Sequence, residues 1–314
     1  MGTLEWLLDS DPAIRWQVMR DLMDAPHGVV AAERSRVATE GWGARLLAFQ
    51  SADGQWGGGT YFPAWTSTAW TLMLLRDLGL DPKSPQALRA IGRVRANSRW
   101  EHDGEPFFAG EVEPCINGLV VAVGAYFGQD VDAVVARLLG EQMEDGGWNC
   151  EQENGSTRGS FHSTIAVLEG LLEYERAQGE SPAVTSSRRR GQEYLLERRM
   201  LYRRSTGQII DPTWTQFSYP TRYFYDTLRG LDYLRAAGAA ADPRAVETIA
   251  LVQAKRDADG RWVLENPHPG LLPFDMEESA GRPSRWNTLR AMRVLTWFEG
   301  PEQTSGLGER SGGG

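Results

Sequence analysis

Two neighbouring segments decide the fold: EVEPCINGLVVAV, which begins at Glu111, and EQMEDGGWNCEQENGSTRGSFHSTIAVLEGLL, which begins at Glu141. In each segment a polar loop leads into a helix that is almost wholly apolar. Cys115, Cys150 and His162 lie in these loops or at their junctions with the helices. A helix that is apolar around its whole circumference is buried on most sides, so we expect both helices in the interior.

The loop before the second helix belongs to a repeated motif. The pattern Gln-x-x-Asp-Gly-x-Trp occurs at residues 50–56 and 142–148, and a looser copy occupies residues 253–262. Each copy follows an amphipathic helix and precedes an apolar one, which indicates an internal period of roughly 50 to 65 residues. We expect the tryptophans that close the motif to pack between outer helices: Trp56, Trp148 and Trp262.

Alternating exposed and buried helices predict the architecture. Six such alternations can be counted, with the first exposed helix shortened to residues 4–8 and the second at residues 31–50. Parallel buried helices joined by antiparallel outer helices close into a ring, so we predict an all-α (α/α)6 toroid with almost no sheet. An open helical solenoid of the HEAT type is the alternative. We expect one domain over residues 1–300 and a disordered Gly/Ser-rich tail over residues 301–314.

Composition argues against several classes of protein. The chain has 314 residues and a net charge of −9, which does not favour nucleic acid or anionic membranes as partners. No apolar run approaches the ~18 residues of a membrane span, and the N-terminus lacks the basic region of a signal peptide. Two cysteines do not make a disulfide framework in a chain of this length, so we expect a cytoplasmic protein with reduced thiols. The sequence identifies no partner subunit.

The Asp-Gly-x-Trp loops resemble the QW repeats of squalene-hopene cyclases. Over residues 4–298 the chain resembles one α/α toroid of the terpenoid cyclase and protein prenyltransferase superfamily. The resemblance implies an enzyme, a lyase or a transferase, with an apolar central cavity and an isoprenoid-like or other hydrophobic substrate. One fold hosts several chemistries, so the repeat is more specific for the fold than for the reaction.

A second resemblance concerns a metal site. The segment GSFHSTIAVLEGL is similar to the region of protein farnesyltransferase beta subunits in which a His ligates zinc, and Glu113-x-Cys115 lies where that family has Asp-x-Cys. The resemblance implies a catalytic zinc ion held by His162 and Cys115, with an open fourth position. The third ligand would be Glu113 or Cys150. We also expect the helix N-terminus to lower the pKa of Cys115. The alternative is an inert thiol and a hydrogen-bonded imidazole.

Other candidates lie at the starts of expected inner helices. The faces of Trp65, Tyr225 and Trp286 would bind an apolar substrate or stabilise a carbocation in a central cavity, with core packing as the alternative. Asp226 is either a cap for the helix start or an acid in the cavity. Asp226 and Tyr225 are therefore candidate catalytic residues, and Trp65 and Trp286 are candidate substrate-binding residues.

Helix dipoles suggest where an anionic group would bind. Six parallel inner helices would direct their N-termini to one mouth of the toroid, which favours an anion there. Four arginines in loops on that side are candidate partners for the anion: Arg158, Arg222, Arg282 and Arg285.

Three functions remain open from the sequence. The first is a zinc-dependent enzyme that acts on an isoprenoid-like substrate. The second is a metal-free, acid-initiated cyclase or isomerase that uses Asp226 or the run DMEESA at residues 275–280, which resembles the Asp-x-Asp-Asp-Thr-Ala motif of class II cyclases. The third is a non-catalytic toroid that binds a hydrophobic ligand or a protein.

Overall fold

The computed structural model describes residues 1–300, and the tail expected to be disordered, residues 301–314, lies outside the described residues. Thirteen α-helices form this part of the chain. In chain order they are α1 Thr3–Leu8, α2 Pro12–Asp21, α3 His27–Ser35, α4 Gly41–Ala48, α5 Thr68–Leu78, α6 Pro85–Asn97, α7 Pro114–Tyr126, α8 Asp132–Gly140, α9 Phe161–Gln178, α10 Pro182–Leu196, α11 Thr227–Ala236, α12 Val246–Ala254 and α13 Arg285–Glu299.

Sheet structure is minimal within this range. The two regular strands, β1 Trp262–Val263 and β2 Pro283–Ser284, pair with each other in antiparallel fashion. The prediction of an all-α fold with almost no sheet is therefore confirmed. In the same residues, no helix combines the length and the hydrophobicity that crossing a bilayer requires.

Six helices form a closed inner ring. Contacts run from α5 to α7, from α7 to α9, from α9 to α11, from α11 to α13 and from α13 to α2. Two hydrogen bonds close the ring between α2 and α5: Trp16 Nε1 donates to the Leu78 carbonyl at 2.9 Å, and Gln17 Nε2 donates to the Asp77 carbonyl at 3.1 Å. Because the ring closes, the fold is the predicted α/α toroid and not an open solenoid.

The repeated tryptophans connect outer helices to inner ones. Each indole N–H donates to a carbonyl near the end of the preceding outer helix, at Leu46 in α4, Leu138 in α8 and Val252 in α12. Each backbone N–H donates to a threonine hydroxyl in the first turns of the next inner helix. All three side chains are buried, as predicted: Trp56, Trp148 and Trp262. These bonds fix the end of one helix against the start of the next.

Two glycines allow the central helices α7 and α9 to approach closely. A Cβ atom on Gly118 would lie 2.6 Å from the backbone of Ala166, and one on Gly170 would lie 2.4 Å from the carbonyl oxygen of Gly118. Side chains at these positions would force the helices apart. The glycines therefore determine how near the loop before α7 lies to the loop before α9.

The prediction of one outer helix over residues 31–50 is wrong in its extent. The structure divides this region into α3, a short 3-10 turn Arg36–Ala38, and α4. The division falls at Gly41, whose φ is +60°. Asp11 accepts a 2.8 Å hydrogen bond from the backbone N–H of Trp42, which turns the chain at this point.

Candidate active site

The inner ring encloses a central cavity of about 640 Å³. Its exposed side chains lie at the C-terminal ends of the inner helices, where Arg20 and Arg176 each have 48% of the side chain exposed. The buried rings of Trp70 and Trp286 lie near the N-terminal ends. The cavity therefore opens at the C-terminal ends, which we call the mouth, and not at the N-terminal ends as expected. The closed N-terminal end is the floor.

The cavity is not the apolar chamber that the sequence predicted. Arginines in the last turns of α2, α5, α9 and α11 turn towards it, where they complement the negative ends of the helix dipoles. Nine arginines and five carboxylates contribute to its wall, so that positive charge is in excess: Arg20, Arg34, Arg76, Arg176, Arg222, Arg229, Arg235, Arg290 and Arg293, with Asp21, Asp77, Glu169, Glu173 and Asp232.

Ion pairs neutralise most of these charges. Burial alone would raise the pKa of Asp232, but the charges of Arg293 and Arg235 outweigh it and hold that pKa well below its usual range. Arg229 forms a bidentate pair with Glu169, with distances of 2.8 and 2.7 Å. The charged part of the cavity wall is thus a network of ion pairs rather than a set of unpaired arginines.

Aromatic rings form the floor. The rings of Tyr219 and Trp286 stack with centroids 4.3 Å apart, and Trp70 lies in the same floor. The indole nitrogens of Trp70 and Trp286, the hydroxyl of Tyr219 and both terminal nitrogens of Arg222 are buried, and none has a hydrogen-bond partner within residues 1–300. Such groups are rare in folded proteins and each requires a physical explanation.

Arg222 and Trp65 contact each other across this floor. The guanidinium carbon of Arg222 lies 5.2 Å from the centroid of the Trp65 ring, within the range of a cation–π interaction. Both residues have left-handed backbones, with φ values of +56° and +73°. Burial lowers the pKa of Arg222 to about 10, so it stays charged at neutral pH. Trp65 also donates from Nε1 to the carbonyl of Pro269 at 2.6 Å.

A small apolar niche of about 20 Å³ adjoins the cavity. Its wall includes Tyr61, Tyr223 and Cys115, and it shares Trp70 and Arg222 with the central cavity. The apolar surface that was expected throughout the cavity is thus concentrated in this niche and in the aromatic floor.

Both cysteines lie beside the niche. Cys115 Sγ is 2.8 Å from Cys150 Sγ and 3.4 Å from a carboxylate oxygen of Glu113. One ligand atom of each residue lies within 4.8 Å of the others, and within residues 1–300 this is the one group of three or more metal-binding side chains that comes together in this way. Two sulfurs and a carboxylate oxygen suit zinc.

The electrostatics of Cys115 differ from the expectation. Its hydrogen bond with Cys150 and its burial raise the pKa of the Cys115 thiol, and Glu113 adds to the effect. A thiolate at Cys115 therefore needs a cation beside it.

His162 does not belong to the metal-binding group. Its Nδ1 accepts a 2.8 Å hydrogen bond from the backbone N–H of Tyr225, and burial lowers its pKa to about 4. A neutral imidazole has one nitrogen with a free lone pair, and here that nitrogen is already occupied. The implied ligand set of His162 with Cys115 is thus corrected, because this hydrogen bond directs the lone pair of His162 away from a metal.

The two candidate catalytic residues do not line the central cavity. Asp226 is the N-cap of α11, where its carboxylate accepts from the backbone N–H of Arg229 at 2.7 Å and from the Ser218 hydroxyl at 3.1 Å. Tyr225 is buried and donates from its hydroxyl to the Met200 carbonyl at 2.7 Å. Both positions are explained by capping and packing.

The candidate substrate-binding residues divide into two groups. Trp286 and Arg222 line the cavity, and Trp65 supports Arg222. Arg158 is exposed, and Arg285 donates to the carbonyls of Trp6 and Asp9. Neither of these last two arginines lines the cavity, because Arg158 is turned to solvent and Arg285, at the start of α13, is held against the N-terminal segment.

Of the three acidic residues in the DMEESA run, Glu277 is the one that is not exposed, and it follows the buried Met276. Glu277 accepts hydrogen bonds from the Ser284 hydroxyl at 2.6 Å and from the backbone N–H of Trp286 at 3.0 Å. Burial raises the pKa of Glu277 to about 7. Its neighbours Asp275 and Glu278 are exposed. Glu277 is thus an acid that is substantially protonated near neutral pH, next to a residue of the cavity floor.

Sequence reasoning missed several residues that face the cavity. Asp232 and Arg293 lie within helices expected to be apolar and buried. A signal was available, since a charge in a buried helix must be paired or face a cavity. Tyr219 carries no comparable signal, because it lies in an irregular loop.

Neither a protein-family model nor a curated protein matches the sequence. Among solved structures, the type II terpene cyclase MstE from Scytonema, without ligand, is similar with a TM-score of 0.44 and 16% identity, covering 91% of this chain and 86% of that chain. Its R337A variant in complex with geranylgeranyl dihydroxybenzoate has a TM-score of 0.42 and 16% identity, covering 90% and 85%. The toroid itself rests on the helix contacts described above.

Proposed function

We propose that this chain is an enzyme of the terpenoid cyclase type, that it holds an isoprenoid-like substrate against the aromatic floor of the central cavity, and that Glu277 donates the proton that starts the reaction. The observation that carries the proposal is the carboxyl group of Glu277, whose pKa is about 7 and which is hydrogen-bonded to the backbone of Trp286. A general acid works best when its pKa is near the working pH.

The proton balance of this step is simple. The Glu277 carboxyl proton adds to a carbon–carbon double bond, and the carbocation that forms loses a proton at the end of the rearrangement, which restores the acid. The faces of Trp70, Tyr219 and Trp286 would stabilise the cation in between. Glu277 does not itself line the cavity but is hydrogen-bonded to the backbone N–H of Trp286, whose side chain does. The proposal therefore requires the Trp286 ring to move from its stack on Tyr219 before the acid reaches the substrate.

The test is product analysis with a matched pair of variants. Purified protein is incubated with geranylgeranyl dihydroxybenzoate or geranylgeraniol, and cyclised or isomerised products are identified by mass spectrometry. Glu277→Gln should abolish product, whereas Glu278→Gln, at the exposed neighbouring position, should not. Product formation that is equal in the two variants would exclude Glu277 as the acid.

A second candidate function is a metal-dependent, prenyltransferase-like enzyme, favoured by the Glu113, Cys115 and Cys150 group. When bound, zinc would supply a Lewis acid or activate a thiolate or water. The two sulfurs and the carboxylate would hold the ion, and the adjoining niche would contact an apolar part of the substrate. Metal content of purified protein distinguishes this function from the first.

A further inference from the structure

The arginines around the cavity are not equivalent. Eight of the nine donate hydrogen bonds to carboxylates, carbonyls or a hydroxyl, with Arg20, Arg34 and Arg76 as examples. Arg222 is the exception in the part of the chain that the structure describes, since both of its terminal nitrogens are buried and unpartnered. Only 6% of this residue is exposed, so its guanidinium is a buried charge without a carboxylate beside it within residues 1–300.

The neighbours of Arg222 lack the same kind of partner. The indole N–H groups of Trp70 and Trp286 line the same cavity and have no acceptor within residues 1–300. Guanidinium and indole nitrogens can donate hydrogen bonds but cannot accept them. Three donor side chains that line one cavity therefore lack an acceptor in the described part of the chain, and a group that carries acceptor oxygens would complement them.

Backbone geometry provides an independent observation. Arg222 and Trp65, which lie within cation–π distance of each other, both have positive φ values. Left-handed conformations of bulky residues persist only where the surrounding structure imposes them, and they are concentrated at functional sites. The chain thus holds a buried, unpaired cation at the floor at the cost of backbone strain in two residues.

We propose that Arg222, with the indole N–H groups of Trp70 and Trp286, forms a subsite for an oxyanion, the carboxylate or phosphate end group of the molecule that the cavity binds. The subsite rests on the proposed function in one respect, that the anion is the end group of an isoprenoid-like substrate. A carboxylate or phosphate matches the planar fork of a guanidinium and would complete its hydrogen bonding. The arginines at the mouth already form ion pairs or hydrogen bonds, so their terminal nitrogens are not both unpartnered as those of Arg222 are.

Binding of matched ligands tests the subsite. Farnesoic acid, farnesyl phosphate and farnesol share one tail and differ in the end group, and calorimetry measures their affinities. The wild type should bind one or both anions on the order of 10- to 100-fold more tightly than the alcohol. Arg222→Met should abolish this preference and Arg222→Lys should keep part of it, whereas Arg89→Met, at an exposed position of α6, should behave as wild type. Equal affinities for acid, phosphate and alcohol in the wild type would overturn the inference.

Tail-free anions separate the subsite from the proposed function. At constant ionic strength, benzoate or inorganic phosphate should raise the melting temperature of the wild type but not that of Arg222→Met. If this occurs while no farnesyl compound binds, the subsite stands and the isoprenoid proposal falls. If neither tail-free nor tailed anions bind preferentially, the subsite is wrong.

The melting temperature of Arg222→Met without ligand provides a further test. Removing an unpaired buried charge should leave the ligand-free melting temperature of Arg222→Met unchanged or higher. A large decrease would show that Arg222 has a structural partner in the folded protein, which contradicts the proposal.

Discussion

Trp148 Nε1 donates a 2.7 Å hydrogen bond to the carbonyl of Leu138, ten positions earlier in the chain. The same bond joins Trp56 to Leu46 and Trp262 to Val252. Each links the end of an outer helix to the loop before the next inner helix. The repeated motif of the sequence thus corresponds to one repeated joint of the toroid.

Substitution of a tryptophan at such a joint should cost stability. Trp148→Ala removes a fully buried ring and leaves the Leu138 carbonyl without its partner, so the free energy of unfolding should fall by about 3–5 kcal/mol. Trp148→Phe keeps much of the ring and should lose less. Urea unfolding measures both. A Trp148→Ala protein with wild-type stability and impaired ligand binding would contradict the structural role.

Metal binding should depend on both cysteines. Because the thiol and carboxylate groups of Cys115, Cys150 and Glu113 already lie together, protein purified with zinc should retain about one ion per chain. Cys115→Ser and Cys150→Ser should each lose it while far-UV circular dichroism stays helical. Elemental analysis gives the readout, and zinc content that survives the double substitution would disprove the site.

His162 should affect stability and not metal content. His162→Ala leaves the N–H of Tyr225 without an acceptor and should cost about 1–3 kcal/mol, whereas His162→Asn can supply an oxygen instead. Since the folded-state pKa of His162 is lowered to about 4, the unfolded chain binds the proton first on acidification. The free energy of unfolding should therefore fall as the pH drops from 6.5, the ordinary pKa of histidine, towards 4. The slope should be at most ~1.4 kcal/mol per pH unit, and it should be smaller in His162→Asn. Loss of zinc from the His162→Ala protein would instead support His162 as a zinc ligand together with Cys115.

The pH dependence of Glu277 has the opposite sign. Its folded-state pKa of about 7 lies above the ordinary value of 4.5, so the folded protein holds a proton that the unfolded chain releases. Its contribution to stability is complete below pH 4.5 and is lost as the pH rises through 7. Glu277→Gln keeps the neutral shape and should be the more stable protein above pH 7. The free energy of unfolding of both proteins, measured at pH 5 and at pH 8, tests this. If the difference between the wild type and Glu277→Gln is the same at both pH values, Glu277 does not hold a proton in the folded protein.

The sequence by itself determined the helices, their alternation and the repeated joints. These features are local, since helical periodicity marks the buried face and a motif at constant spacing places its tryptophan at the same point of each repeat. The sequence favoured closure of the ring, because buried helices need neighbours on both sides, and the hydrogen bonds between α2 and α5 decided it against the open solenoid.

Tertiary structure alone decided which polar groups meet. His162 and Cys115 lie at equivalent junctions in the sequence, but the backbone N–H of Tyr225 occupies the lone pair of His162. Cys150, one of the two third ligands that the sequence left open, does contact Cys115. Long charged side chains likewise turn inward to pair across the ring, so the cavity became charged, and Arg222 stayed unpaired. Periodicity indicates the face on which a residue lies, but the competition among hydrogen-bond partners is settled only when the helices have packed.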